Sequence, residues 1–173
     1  MALADSTLLV LRLVVGLIFA AHGAQKAFGW WNGPGIEGWQ KIVAGMRFQP
    51  APLWTVVSVG AELIGGLLVA IGLFTPVAAT ALIGQSVVII LKAHLPKGFW
   101  NKNGGIEFPL ALAAGVLAIL GIGPGAYSAD GLIGFGLVEP LLWVLLAVGL
   151  GGGLAAYGLT RVTPAPQPAA EQR

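Results

Sequence analysis

The chain has 173 residues, of which 57% are hydrophobic and 9% charged, with a formal net charge of +2 and no cysteine. A soluble domain carries about 25% charged residues, so we expect this chain to fold in a lipid bilayer. The missing cysteines exclude disulfides, thiol catalysis, iron–sulfur clusters and Cys-ligated zinc. The positive charge is too small and too scattered for a nucleic-acid partner.

Apolar stretches predict five transmembrane helices and therefore an all-α, polytopic bundle. In chain order they cover residues 6–28, 53–74, 76–95, 106–122 and 137–159. At about 1.5 Å per residue, each crosses all or most of a hydrocarbon core of roughly 30 Å, and the fourth is the shortest. The first stretch lacks a basic leading segment, so it is a poor match to a cleavable signal peptide.

A short helix is predicted between the first two spans, because Pro34 is placed to start it and apolar residues recur at helical spacing. Its apolar face comprises Ile36, Trp39, Val43 and Met46. We interpret residues 36–46 as an interfacial helix on the inner leaflet. Residues 1–160 then form one bundle domain, and the segment 161–173, rich in proline and alanine, is predicted to be a disordered cytoplasmic tail.

The basic residues fall almost wholly on one side of the predicted spans. That side carries Lys26, Lys41, Arg47, Lys92, Lys97, Lys102, Arg161 and Arg173. The other side carries Asp5, Asp130, Glu139 and, within a span, Arg12. Because cytoplasmic loops are enriched in Lys and Arg, we predict an outside N-terminus and a cytoplasmic C-terminus.

Polar residues inside the spans cost free energy and need a physical reason. Counting from the basic ends at ~1.5 Å per residue places His22 about 9 Å deep and Glu62 about 13 Å deep. We predict a polar cavity in the cytoplasmic half from His22, Lys26, Glu62, His94 and Glu107. Further intramembrane polar residues are Arg12, Gln25, Gln85 and Lys92.

Within this cavity we expect Glu62 to hydrogen-bond with His22, directly or through one water, while Glu107 and His94 close it from the cytoplasmic side. Small residues that share a helical face with Glu62 and with Glu107 predict that both faces point into the bundle. The alternative is that these groups pair only to hold the helices together. The sequence has no HExxH or ExxH spacing, so no metal site is predicted.

Several segments together resemble the DoxX family of small bacterial membrane proteins. They are the region from Arg12 to Lys26 with the stretch 26–29, the stretches 62–68 and 72–75, His94, Glu107 and the stretch 123–130. The resemblance covers about residues 8–131. It implies a four-helix core, with the fifth span as a C-terminal addition, in the bacterial cytoplasmic (inner) membrane.

The resemblance also implies respiratory or sulfur redox chemistry, since the family includes the small subunit of a thiosulfate:quinone oxidoreductase. One hypothesis is therefore a redox-complex subunit whose cavity binds a quinone headgroup or relays protons. A partner would supply the electrons, because the sequence has no motif for a covalent cofactor. The alternatives are a non-catalytic scaffold subunit and a small-solute or proton carrier. Expected partners are the lipid bilayer and other membrane or membrane-associated redox proteins, in a homo- or hetero-oligomer.

Overall fold

A computed structural model describes residues Ala2–Thr163, which form helices and turns without a strand in that range. The helices are α1 (Ala2–Phe28), α2 (Gly35–Gly45), α3 (Ala51–Ile71), α4 (Thr75–Val88), α5 (Glu107–Ile122), α6 (Ala129–Ile133) and α7 (Glu139–Val162). A π-helical segment, Ile89–His94, and a 3₁₀ turn, Leu95–Lys97, extend α4. The all-helical prediction is confirmed.

Four of these helices are long and apolar enough to cross a membrane: α1, α3, α4 with its extension, and α7. The shorter apolar helix α5 has 16 residues, or about 24 Å of rise, and corresponds to the shortest predicted span. Helix α7 continues to Val162, so the predicted tail starts inside it. The remainder of that tail, residues 164–173, lies outside the described residues.

The core lies between α1, α3, α4 and α5, where Val69, Leu82, Val116 and Ile119 are completely buried. Helices α1 and α3 touch backbone to backbone. A Cβ atom added to Gly16 would lie 2.5 Å from the Gly66 carbonyl oxygen. Small residues allow such approaches between membrane helices, and these approaches supply the van der Waals contact that holds a bundle together in lipid.

Helix α7 packs on the outside of this four-helix core, along α4. The contact again runs through glycines: a Cβ atom added to Gly153 would lie 2.5 Å from the Gly84 oxygen, and one added to Gly149 would lie 2.8 Å from the Thr80 oxygen. The fifth predicted span is therefore attached to the core by close backbone packing.

Helix α5 is rotated differently from our expectation. Glu107, Ala111 and Ala114 are exposed, whereas the residues packed into the core are Pro109, Leu112, Val116, Ile119 and Leu120. The prediction that the Glu107 face points inward is wrong. Large aliphatic side chains fill the core on this helix, and alanine is apolar enough to face lipid.

Helix α2 occupies the predicted position, but part of its apolar face is turned toward the bundle. Val43 is buried against Phe48 and Ala51, and the Trp39 indole Nε1 donates to Ser58 Oγ at 2.7 Å. The apolar residues that α2 leaves exposed are Ile36 and Ile42. Helix α2 therefore closes one end of the space between α1 and α3.

The order of the helices places the charged residues at two ends. The basic end carries Lys26, Lys41, Arg47, Lys92, Lys97, Lys102 and Arg161. The Asp130 end carries Asp5, Arg12, Asp130 and Glu139. Which end faces the cytoplasm stays a prediction from the positive-inside rule.

Candidate functional site

An ion pair lies inside the bundle near the basic end. Lys26, in the last turn of α1, donates through Nζ to Glu62 Oε1 on α3. Gln85 Nε2, on α4, donates to the same oxygen at 2.9 Å. Glu62 is completely buried, and its Oε2 has no hydrogen-bond partner among the described residues. One carboxylate thus connects three membrane helices.

Helix α2 covers this ion pair with an aromatic ring. The Lys26 ammonium lies 4.2 Å from the centroid of the Trp39 ring, a distance at which the ring face attracts a cation. Because Trp39 is also bonded to Ser58 of α3, the indole is held over the ammonium group.

Beside the ion pair is a cavity of about 260 Å³ between α1, α4 and α5. Its polar lining residues are His22, Lys26, Glu62, Ser86 and His94, and its apolar ones are Phe19, Trp39, Ile89, Ala93, Phe108, Pro109 and Leu112. The walls are thus mostly apolar, and a few polar groups from three helices converge on one space, which is the usual composition of a small-molecule site.

Four of the five predicted cavity residues, His22, Lys26, Glu62 and His94, line this space. The fifth, Glu107, does not. Its Oε2 accepts the backbone N–H of Asn101 at 2.9 Å, at the exposed start of α5. Glu107 instead closes the loop before α5, because its helix face is turned outward.

The hydrogen bond between Glu62 and His22 was predicted either directly or through one water, and the direct form is not made among the described residues. His22 is exposed at the rim of the cavity, with its ring 6.3 Å from that of Phe108. Lys26, one turn further along α1, reaches Glu62 instead. A long, flexible ammonium side chain extends from the helix end to mid-bundle, whereas the shorter imidazole stays near its own backbone.

His94 ends the π-helical segment after α4. Its Nδ1 lies 2.7 Å from the backbone oxygen of Gly104. A carbonyl oxygen only accepts hydrogen bonds, so Nδ1 holds a proton in this contact and Nε2 is the nitrogen left for a ligand.

The secondary polar residues are distributed over the molecule. Gln85 belongs to the ion-pair site, and Lys92 Nζ donates to Thr160 Oγ1 of α7 at 3.0 Å. The backbone oxygen of Gln25 accepts the N–H of Gly29 at 3.1 Å, at the end of α1. Arg12 lies at the Asp130 end. These four secondary residues therefore lie in different parts of the molecule.

At the Asp130 end, a completely buried carboxylate caps α4. Asp130 Oδ1 accepts the N–H of Phe74 at 2.7 Å, and Oδ2 accepts that of Thr75 at 2.8 Å. The Asp130 N–H donates to Gly72 O at 2.7 Å. The sequence analysis placed Asp130 in an outer loop. One indication in the sequence that Asp130 matters is that it ends the stretch 123–130, which contributes to the family resemblance.

Arg12 of α1 is completely buried near this carboxylate and donates through Nη2 to the backbone oxygen of Tyr127. Its Nε and Nη1 have no partner among the described residues. A Cβ atom added to Gly72 would lie 1.8 Å from Nη1. The guanidinium group is therefore enclosed by the turn between α3 and α4 and by the loop before α6.

Within residues 2–163, no group of three or more His, Cys, Asp or Glu side chains is arranged to hold a metal ion.

Comparison with known proteins gives two matches. The profile of the DoxX family matches residues 7–95, a range that includes His22, Lys26, Glu62 and His94. The uncharacterized membrane protein Rv3486 of Mycobacterium tuberculosis is 34% identical over 135 residues, which is 72% of this chain and 79% of the relative. No solved structure matches the chain.

Proposed function

We propose that this chain, which belongs to the DoxX family of membrane proteins, is the quinone-binding membrane subunit of a redox complex. The observation that carries the proposal is the buried Lys26–Glu62 ion pair at the wall of an otherwise mainly apolar cavity. A quinone headgroup is a flat apolar ring with polar oxygens at its edge, so it needs both kinds of wall.

The cavity has the right size and surface for such a ring. Its volume of about 260 Å³ is close to the lower end of the roughly 300–1,000 Å³ range of small-molecule sites. Phe19, Trp39 and Phe108 provide flat apolar contact. At the polar wall, Lys26 carries hydrogen-bond donors and Glu62 carries acceptors.

The position of the cavity suits a ligand dissolved in lipid. Two of its lining residues, His22 and Phe108, are exposed on the side where α1 and α5 meet. Both residues belong to apolar helices of the bundle, and in this proposal the side between them faces lipid. A headgroup with an isoprenoid tail would enter there and leave its tail among the acyl chains.

Reduction of a quinone takes up two electrons and two protons. The electrons come from a redox partner, because the chain has no cysteine and no haem-attachment motif. Its own residues bind the ring and exchange protons with it. Glu62 and His94 line the cavity, where a general acid–base group can come within hydrogen-bond reach of the reacting oxygen.

The test is saturable binding of a short-chain ubiquinone analogue to the full-length protein in lipid nanodiscs, followed by quenching of tryptophan fluorescence. We expect Glu62→Gln to weaken binding about tenfold, the equivalent of ~1.4 kcal/mol. Glu107→Gln is the matched control, because it also neutralises a carboxylate near the basic end but lies outside the cavity, and it should bind like the wild type. Equal loss in both variants, or no saturable binding, overturns the proposal.

A second pair of variants tests the cavity without changing its charge. Ala93→Leu adds bulk to a lining residue and should reduce quinone binding. Ala111→Leu adds the same bulk on the exposed face of α5 and should leave it unchanged. This pair decides the question even if Glu62→Gln fails to fold.

The other candidate is a scaffold subunit, and the exposure of α7 favours it. Helix α7 contacts mainly α4 and leaves Trp143, Val148 and Leu154 exposed along its length. In this case a larger membrane complex would dissociate when these α7 side chains are changed, while Glu62→Gln would leave the complex intact on a native gel.

A further inference from the structure

Three cationic side chains from separate elements lie at the basic end, and none of them lines the cavity. Lys92 belongs to the extension of α4, Arg47 to the loop between α2 and α3, and Arg161 to the last turn of α7. The Lys92 ammonium is bonded to Thr160 Oγ1 at 3.0 Å, next in sequence to Arg161. Phe48, the residue after Arg47, lines the same groove as Lys92.

The surrounding packing holds this cationic cluster, Arg47, Lys92 and Arg161, in place. Phe48, which follows Arg47, packs with Ala156 of α7 in one buried cluster. The Arg161 guanidinium lies 5.0 Å from the centroid of the Tyr157 ring, and its Nε donates to the Tyr157 hydroxyl at 3.1 Å. The loop and the two helices are therefore packed against one another, which keeps the backbone positions of the three charged residues close together.

The cationic cluster has no anion of its own within the described part of the chain. The ion pair found between residues 2 and 163 is Lys26–Glu62, and it does not involve the cluster. Three like charges that are held together repel one another, and an anion bound between them would relieve that repulsion. Lysine and arginine are the residues that bind phosphate groups, and the arginine fork does so through paired hydrogen bonds.

The positive-inside rule does not account for the position of Lys92. That rule needs basic residues in loops near the ends of the spans, which Lys97 and Lys102 already satisfy. Lys92 is half-buried and lies within the helical segment Thr75–Lys97. It also lines a small apolar groove, about 70 Å³ in volume, together with Val43, Phe48, Trp54 and Val88.

We propose that Arg47, Lys92 and Arg161 form a binding site for a phosphate group, carried by an anionic phospholipid of the adjacent leaflet or by soluble phosphate. In the lipid case, the groove next to Lys92 receives the start of an acyl chain. Basic pockets between transmembrane helices bind anionic headgroups in this way. None of the three residues lines the proposed quinone cavity, although the groove next to Lys92 shares Trp39, Ile89 and Ala93 with it.

The experiment measures protection of the detergent-solubilised full-length protein against thermal unfolding. Its three arms are added phosphatidylglycerol, phosphatidylcholine with the same acyl chains, and inorganic phosphate. We expect saturable protection by phosphatidylglycerol and none by phosphatidylcholine. Protection by inorganic phosphate as well, with competition between the two, identifies a site for soluble phosphate. No protection by either anion overturns the proposal.

The variant Lys92→Gln/Arg161→Gln should weaken the anion's apparent affinity about tenfold or more. The matched control, Lys97→Gln/Lys102→Gln, removes the same charge from exposed residues of the same end and should keep the wild-type affinity. Equal losses in the two variants would mean general attraction to a basic surface, which contradicts the proposal. Arg161→Gln alone changes only an exposed side chain, and it decides the result if the double variant does not fold.

Discussion

Two buried charged sites lie at opposite ends of this bundle, and they are built differently. At the Asp130 end, backbone N–H groups of Phe74 and Thr75 satisfy both carboxylate oxygens. Near the basic end, only side chains reach Glu62, and one carboxylate oxygen is left without a partner among the described residues.

The two sites also differ in how tightly the surrounding atoms are packed. A single added carbon atom at Gly72 would collide with Arg12, whereas a cavity of about 260 Å³ adjoins Glu62. A buried charge costs free energy unless it is paired and hydrogen-bonded. The Asp130 carboxylate is fully hydrogen-bonded within the fold and fixes the α3–α4 turn to the start of α6. Glu62 meets this condition only in part and leaves capacity for a ligand.

The strongest test of this contrast is Asp130→Ala. The change leaves Arg12 buried without a nearby carboxylate and removes the acceptor of the Phe74 and Thr75 N–H groups. We expect a loss of about 3–5 kcal/mol in the free energy of unfolding, measured by denaturant titration in detergent. Glu139→Ala removes an exposed carboxylate at the same end and should change stability by less than about 0.5 kcal/mol. Similar losses in both variants would mean that Asp130 does not stabilise the fold through its hydrogen bonds to the α3–α4 turn.

Gly72→Ala tests the tight packing around Arg12. Gly72 has a φ of +70°, and Gly134 has a nearly equal φ of +69° with open space around its Cα. Both alanine variants suffer the left-handed backbone penalty of about 1–2 kcal/mol. Only Gly72→Ala also collides with the Arg12 guanidinium and the Ser128 Cβ, so we expect it to lose about 1–3 kcal/mol more than Gly134→Ala. Equal losses in thermal or chemical denaturation would show that the guanidinium moves aside freely.

A double-mutant cycle on Lys26→Gln and Glu62→Gln measures the ion pair at the cavity. We expect a coupling energy of about 1–2 kcal/mol, smaller than the effect at Asp130, because Gln85 still bonds residue 62 and Lys26 retains contact with Trp39. Unfolding in detergent provides the measurement. A coupling energy as large as the stability loss in Asp130→Ala would mean that the ion pair stabilises the fold as strongly as Asp130 does, which contradicts the contrast between the two sites.

The last prediction concerns the orientation of the bundle in the membrane, and we expect it to involve no change in stability or in ligand binding. A reporter active only in the cytoplasm should be active when fused after Arg173 and inactive when inserted near Tyr127, because the basic end is predicted to face the cytoplasm. The reverse pattern would put the cavity beside Glu62 in the outer half. Activity at both positions would mean a different number of spans.

The sequence was sufficient for the helical class, the positions of the apolar spans and the short helix between the first two. These features depend on local composition and length, which are read directly along the chain. The sequence also identified His22, Lys26, Glu62 and His94, which the fold places around one cavity. An ionisable residue within an apolar span can be recognised without knowing how its helix is rotated.

Tertiary packing alone decided which groups meet. Lys26 rather than His22 bonds Glu62, Glu107 is turned away from the cavity, and Asp130, assigned to an outer loop, is buried. In water, an apolar stripe identifies the inner face of a helix. In lipid, both faces of a helix are apolar, so the pattern does not fix its rotation. Rotation follows instead from close glycine contacts, such as that between Gly16 and Gly66, and from backbone groups that need a partner.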